Sequence, residues 1–89
     1  MDYDTMPYIK NRVSLDKILD ELATYITSDG DLTYCFYRLC LIKAHDKGHS
    51  YDTWKSLVGV LECTKLELYR REIALYETKK IIENGDVLI

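Results

Sequence analysis

An all-α fold is what this sequence predicts: a three-helix domain with a long C-terminal helix, assembled into a helical homo-oligomer. Three observations carry that expectation. One Pro and four Gly in 89 residues leave few breaks, too few for a many-turned β fold. Apolar side chains recur every three or four residues, the period of helices with one buried face. Nothing that clearly breaks a helix follows Ser50 until Asn84-Gly85, so the last helix outgrows the two that precede it.

Residues 1–13 read as an irregular, polar N-terminal segment in which Pro7 stops any early helix and Met6, Tyr8 and Ile9 are docking side chains. The first helix is expected over 14–28, capped by Ser14 with Asp16 in its first turn. Leu15, Ile18, Leu19, Leu22, Tyr25 and Ile26 make its apolar face, and Ser28-Asp29-Gly30 supplies the stop. A second helix over 31–47 continues the rhythm with Leu32, Cys35, Phe36, Leu39, Cys40 and Ile42 or Lys43. Gly48 then stands where a left-handed cap would end it.

The third helix, expected over 51–83, is opened by Ser50 and is rich in good helix formers between 61 and 82. Unbroken, its about 33 residues run about 50 Å. A domain of this size has a radius of gyration of only about 12–13 Å, so two shorter helices cannot cover it. Its apolar positions also spread: Trp54, Leu57, Val58 and Leu61 on one side, Val60, Cys63, Leu66, Ile73 and Tyr76 elsewhere. A helix apolar on several faces needs several partners. Self-association through 61–82 follows, with Leu61, Leu68, Ile73, Leu75 and Ile82 as the interface. The competing expectation is a kink at Gly59 that folds two shorter helices together. The tail 84–89 ends in the apolar Val87-Leu88-Ile89, which can tuck back onto the bundle or a neighbouring subunit.

Composition narrows the function. Hydrophobic residues at 47% with 30% charged describe a globular chain, and its 89 residues fit a single helical domain. A net charge of −3 argues against an electrostatic grip on nucleic acid. Residues 1–10 lack the basic and apolar regions of a signal peptide, and no apolar run reaches membrane-spanning length. Cys35, Cys40 and Cys63 are an odd count with no Cys-x-x-Cys pair, which fits reduced thiols in the cytoplasm. Eight Tyr against one Phe and one Trp suit interfaces and ligand pockets, or simply amphipathic helix edges.

Chemistry-bearing patterns are sparse. His45 and His49 flank Asp46-Lys47-Gly48, but Gly48 ends the helix between them and further ligands are missing, so exposed loop histidines are expected and no metal. Glu62, Glu67, Glu72 and Glu77 recur every five residues, which turns successive carboxylates by about 140° and keeps them from converging on Mg²⁺. Asp16 and Asp20 have the right spacing but read as an exposed face. There is no nucleophilic triad, phosphate loop or dinucleotide fingerprint, so neither an enzyme nor a cofactor is expected. A helix-turn-helix centred on Gly59 would place Lys55 and Lys65 where a small and a branched apolar residue belong.

The most suggestive stretch runs from Leu68-Tyr69-Arg70-Arg71-Glu72 to Tyr76-Glu77-Thr78-Lys79-Lys80. On α-helical spacing Tyr69, Tyr76 and Lys80 share a stripe, with Lys65 and Glu72 beside it. Arg70 lies between Glu67 and Glu77, and Arg71 reaches back to Glu67. Arg beside Tyr is a pairing that binds phosphate and stacks on a base. A ligand site of Tyr69, Arg70, Arg71, Tyr76 and Lys80, closed by Tyr8 or Tyr34, is one expectation. A salt-bridged face with a Tyr seam between subunits is the other.

Met6-Pro7-Tyr8-Ile9-Lys10, Gly30-Asp31-Leu32-Thr33-Tyr34, Arg38-Leu39-Cys40 and Val58-Gly59-Val60-Leu61-Glu62-Cys63 together resemble an uncharacterised family of very small proteins of bacteriophages, archaeal viruses and prokaryotes. The resemblance continues through Lys65-Leu66-Glu67-Leu68-Tyr69-Arg70-Arg71, Tyr76-Glu77, Lys79-Lys80 and Glu83-Asn84-Gly85-Asp86-Val87. It covers nearly the whole chain, and Met1–Thr5 and Leu88-Ile89 depart from it slightly. The family has no assigned activity to transfer. It implies an oligomeric, non-enzymatic binding protein in the host cytoplasm, which sequesters a nucleotide-type signal or inhibits a host protein. An accessory subunit of a larger assembly, with no small-molecule ligand, is the reading from another class.

Overall fold

The computed structural model describes residues 11–87 and is all-helical, with no strand among the described residues. The helices are α1 (Arg12–Tyr25), α2 (Asp29–Lys47), and a long third helix of 34 residues. The third consists of α3 (Tyr51–Leu68), a single π turn (Tyr69–Ile73) and α4 (Ala74–Asn84). The chain divides into two compact units, Met1–Lys47 and Gly48–Ile89. The expected N-terminal docking residues Met6, Tyr8 and Ile9, and the tail residues Leu88 and Ile89, lie outside the described residues.

In the first unit, α1 begins earlier than its expected cap. Asn11 occupies the N-cap position, makes no side-chain capping bond, and accepts the Leu15 N–H on its carbonyl at 3.0 Å. Ser14 therefore stands inside the first turn, and Asp16 faces Arg12 one turn back at 3.9 Å. α1 stops at Tyr25 because Ile26 turns extended (φ −88, ψ 113) while its N–H still reaches the Ala23 carbonyl.

A reciprocal cap starts α2. Ser28 Oγ accepts the Asp31 N–H at 3.1 Å, and Asp31 Oδ2 accepts the Thr27 N–H at 3.0 Å and the Thr27 hydroxyl at 3.1 Å. This is the logic of a capping box, with the return bond made one residue earlier. Gly30 thus lies within the first turn of α2 and does not stop α1. Asp29 and Asp31 both sit at the positive end of the helix dipole. The Thr27 hydrogen bonds hold the Asp31 carboxyl below its ordinary range. Gly48, at φ 92, ends α2 in the left-handed region as expected.

Burial on α2 does not single out the expected face: Ala44 is the one fully buried residue described, Cys35, Cys40 and Leu41 are half-buried, and Leu32, Phe36 and Leu39 are exposed. Tyr34, Tyr37, Leu41 and Ile42 make α2 apolar nearly all round, so its period does not choose a face.

In the second unit Ser50 caps α3, its Oγ accepting the Thr53 N–H at 3.2 Å from an extended backbone. The helix continues through Gly59, whose φ is not positive and whose absent side chain would meet nothing within 4 Å. The kink expected as the alternative is absent there. The irregularity comes ten residues later, where the Ala74 N–H bonds the Tyr69 carbonyl across an i→i+5 turn. Gly85, at φ 86, closes α4 with its N–H on the Ile81 carbonyl at 2.8 Å. No described helix is long and apolar enough to cross a membrane.

These local structures yield three predictions. Gly59→Ala should stabilise the second unit by about 0.5–1 kcal/mol in thermal or urea denaturation, since it stands in an open helix interior. Ser28→Ala should cost about 1 kcal/mol by removing a cap. Asp31 has a depressed folded pKa, so its contribution is present above its unfolded pKa and is lost as pH falls through the folded one. Helicity followed by circular dichroism from neutral pH to about pH 2 should therefore fall less steeply in Asp31→Asn than in the parent.

Candidate functional site

The residues expected to bind a ligand fall on and around the π turn. Tyr69, Arg70 and Arg71 are within it, and Tyr76 and Lys80 are on α4. Tyr34 is exposed on α2 in the other unit, and Tyr8 lies outside the described residues.

Glu67, in the last turn of α3, holds both arginines. Arg70 Nη2 donates to Glu67 Oε1 at 2.9 Å and Oε2 at 3.1 Å, and its Nε donates to Oε1 at 3.3 Å. Arg71 Nε is 2.8 Å from Glu67 Oε2 and shielded from solvent, yet its N–H is directed away from a hydrogen bond, so this contact is chiefly Coulombic. The Arg70 hydrogen bonds, then the charges of Arg70 and Arg71, hold the Glu67 carboxyl below its ordinary range despite partial desolvation. Two guanidiniums on one carboxylate leave a local excess of positive charge. Arg70 is well exposed, so most of that excess faces water, where each pair contributes little to stability.

The π turn rearranges the expected stripe. A π turn holds one residue more than an α turn, so everything beyond it is set back by about one residue's rotation, about 100°. Tyr69 and Tyr76 thereby part company. Tyr69 instead meets Glu77, eight residues on, its hydroxyl donating to both carboxylate oxygens at 3.1 Å. That hydrogen bond and the adjacent negative charge push the Tyr69 phenol above its ordinary range. Tyr76 keeps Lys80, whose Nζ stands 5.6 Å from the ring centroid and 3.2 Å from Glu83. Sequence spacing identified Glu67 as the arginines' partner. It missed Glu77 as the partner of Tyr69, because residues 69–73 carry no Gly, Pro or other mark of an irregular turn.

The expected interface residues are all exposed: Leu61 and Leu68 on α3, Ile73 at the end of the π turn, and Leu75 and Ile82 on α4. Among the remaining candidates, His49 lies against Trp54, ring centroids 5.5 Å apart at 57°. Among the described residues no three His, Cys, Asp or Glu gather as a metal set, and Cys35, Cys40 and Cys63 are free thiols.

Fold and site together define a small all-helical protein whose distinguishing element is an ion-paired π turn in a long helix. No curated protein and no solved structure matches it. Residues 6–87 match the model of a domain of unknown function (DUF6899), and the chain belongs to that family.

The Tyr69–Glu77 bond predicts that the Tyr69 phenol titrates above its ordinary range. The difference in alkaline absorbance titration between the parent protein and Tyr69→Phe isolates that phenol, and Glu77→Gln should bring it back toward the ordinary range. A Tyr69 transition in the ordinary range in the parent protein would contradict the pairing.

Proposed function

We propose that this protein is a non-enzymatic binding protein that works by association, first of all with copies of itself. The observation that supports the reading is the exposure of its apolar side chains. Ala44 alone is fully buried among the described residues, while large apolar residues of all the helices stand in water. Burying one Leu, Ile or Phe side chain is worth about 1.5–3 kcal/mol, against a stability of about 5–15 kcal/mol for a typical domain. Covering even a few of these faces is therefore comparable to the whole stability of a small fold. Small domains commonly close that gap by oligomerising. In this reading the assembled protein acts in a prokaryotic or viral setting, in the cytoplasm, by occupying a host factor.

A second reading has its own support in the two guanidiniums on Glu67. Arg70 and Arg71, with Tyr69, Tyr76 and Lys80 near the turn, offer charge and rings to a nucleotide-type anion that replaces Glu67 as the arginines' partner. In that version the protein sequesters a host signal.

Native mass spectrometry of the purified full-length chain at tens of micromolar tests both readings in one spectrum. A discrete oligomer is the expected result, and a monomer overturns self-association. Titrating a panel of nucleotides into the same sample tests the second reading. Adducts that vanish in the Arg70→Ala, Arg71→Ala double variant support it, and adduct formation equal to the parent's overturns this site.

A further inference from the structure

The π turn decides which apolar side chains share a face of the long helix. In an α-helix, residues seven apart nearly eclipse. Trp54, Leu61 and Leu68 stand at that interval, and so do Leu75 and Ile82 after them. An unbroken α-helix would carry all five in one row. The π turn breaks that row, because residues beyond it are set back by about 100°. Leu75 and Ile82 come to lie roughly a third of a turn or more from Leu68, and Ile73 and Tyr76 take their places. The bond between Tyr69 and Glu77 bears this out: eight residues apart, they meet as residues two α-turns apart would. The row that runs the length of the helix is Trp54, Leu61, Leu68, Ile73 and Tyr76, with relative exposures of 38%, 44%, 59%, 42% and 61%.

We infer that this row is the seam along which the long helix pairs with the long helix of a second copy, and that the π turn keeps the seam continuous. The inference rests on the self-association proposed above and specifies its surface. Length is the first argument for the occupant. The long helix has 34 residues, about 51 Å, whereas α1 has 14 and α2 has 19. Neither can follow the row from end to end, and a second copy supplies a helix that can. Charge is the second argument. Residues 51–68 carry a net charge of −1 and residues 69–84 a net charge of +1, so an antiparallel copy sets each half against its opposite. Area is the third. Two aromatic and three aliphatic side chains, flanked by Leu57, Val58 and the stems of Lys65 and Lys80, offer on the order of 800 Å² per partner, as stable pairs require.

Sedimentation equilibrium of full-length variants tests the seam, with circular dichroism confirming that each remains helical. Leu68→Glu and Ile73→Glu bury a charge in it and should weaken self-association by about tenfold or more. Leu75→Glu and Ile82→Glu lie off the row and should leave it within about twofold of the parent. Deletion of Glu72 is the sharper test. It removes the extra residue, turns the π turn into plain α-helix and leaves Ile73 and Tyr76 in register, so assembly should persist. Loss of assembly on deletion of Glu72, or sensitivity at Leu75 and Ile82 with none at Ile73, overturns the seam. An assembly indifferent to every one of these changes overturns the seam and leaves self-association standing, whereas a monomeric parent protein overturns self-association itself.

Discussion

The hydrogen bond from the Ala74 N–H to the Tyr69 carbonyl sets the geometry of everything that follows it in the long helix. Its i→i+5 closure puts one more residue into a turn than α-helical geometry allows. From that one bond come the separation of Tyr69 from Tyr76, the meeting of Tyr69 with Glu77, and the rotation of Leu75 and Ile82 away from Leu68. The arginines sit at this same irregularity. Arg70 and Arg71 occupy consecutive positions in the π turn, and both still reach Glu67, one through its Nη2 and one through its Nε. A π turn is energetically inferior to α-helix, and such turns occur frequently at functional sites. Here the compensation is local: the Glu67 cluster on one side and the Tyr69–Glu77 bond on the other.

Much of the fold was legible because helix ends are written in short-range chemistry. Ser50 capped where a Ser before an apolar-periodic run should, and Gly48 and Gly85 stand at positive φ where chains leave helices. The α1–α2 junction is a break, as Ser28-Asp29-Gly30 suggests, but those residues do not stop α1, which ends at Tyr25. Ser28, Asp29 and Gly30 look like a stop, yet Ser28 with Asp31 builds a start, and Gly30 is drawn into the helix behind it. Asp and Ser favour both a turn and an N-cap, so composition alone does not distinguish the two. Ser14 erred in the opposite direction: a good capping residue lost the position because Arg12 and Val13 extend the helix ahead of it.

The site was legible only as far as α-helical spacing holds. Glu67 with Arg71 is an i,i+4 pair and Glu67 with Arg70 an i,i+3 pair, and both appear as expected. Every inference of shared face that crosses residues 69–73 carries an error of about one residue's rotation. The expected stripe joining Tyr69 to Tyr76 and Lys80 depends on it directly, as does the α-helical alignment of Leu68 with Leu75. Tyr76 and Lys80 escape because both lie beyond the turn, and their relative rotation is unchanged. Which side of α2 is shielded was hidden for another reason. A helix apolar nearly all round has no preferred face in its sequence, so its environment decides.

The two proposed uses of the long helix overlap at Tyr76 and Lys80, whereas the arginines lie clear of the row. By α-helical rotation Arg70 stands nearly opposite the Trp54, Leu61 and Leu68 row, and Glu67 and Arg71 lie roughly a third of a turn from it. Pairing along that row leaves the Glu67–Arg70 face toward solvent. Removing water from the neighbouring seam would lower the local dielectric and strengthen the attraction between the half-buried Arg71 and any anion, Glu67 included. The same desolvation penalises a guanidinium left without a partner.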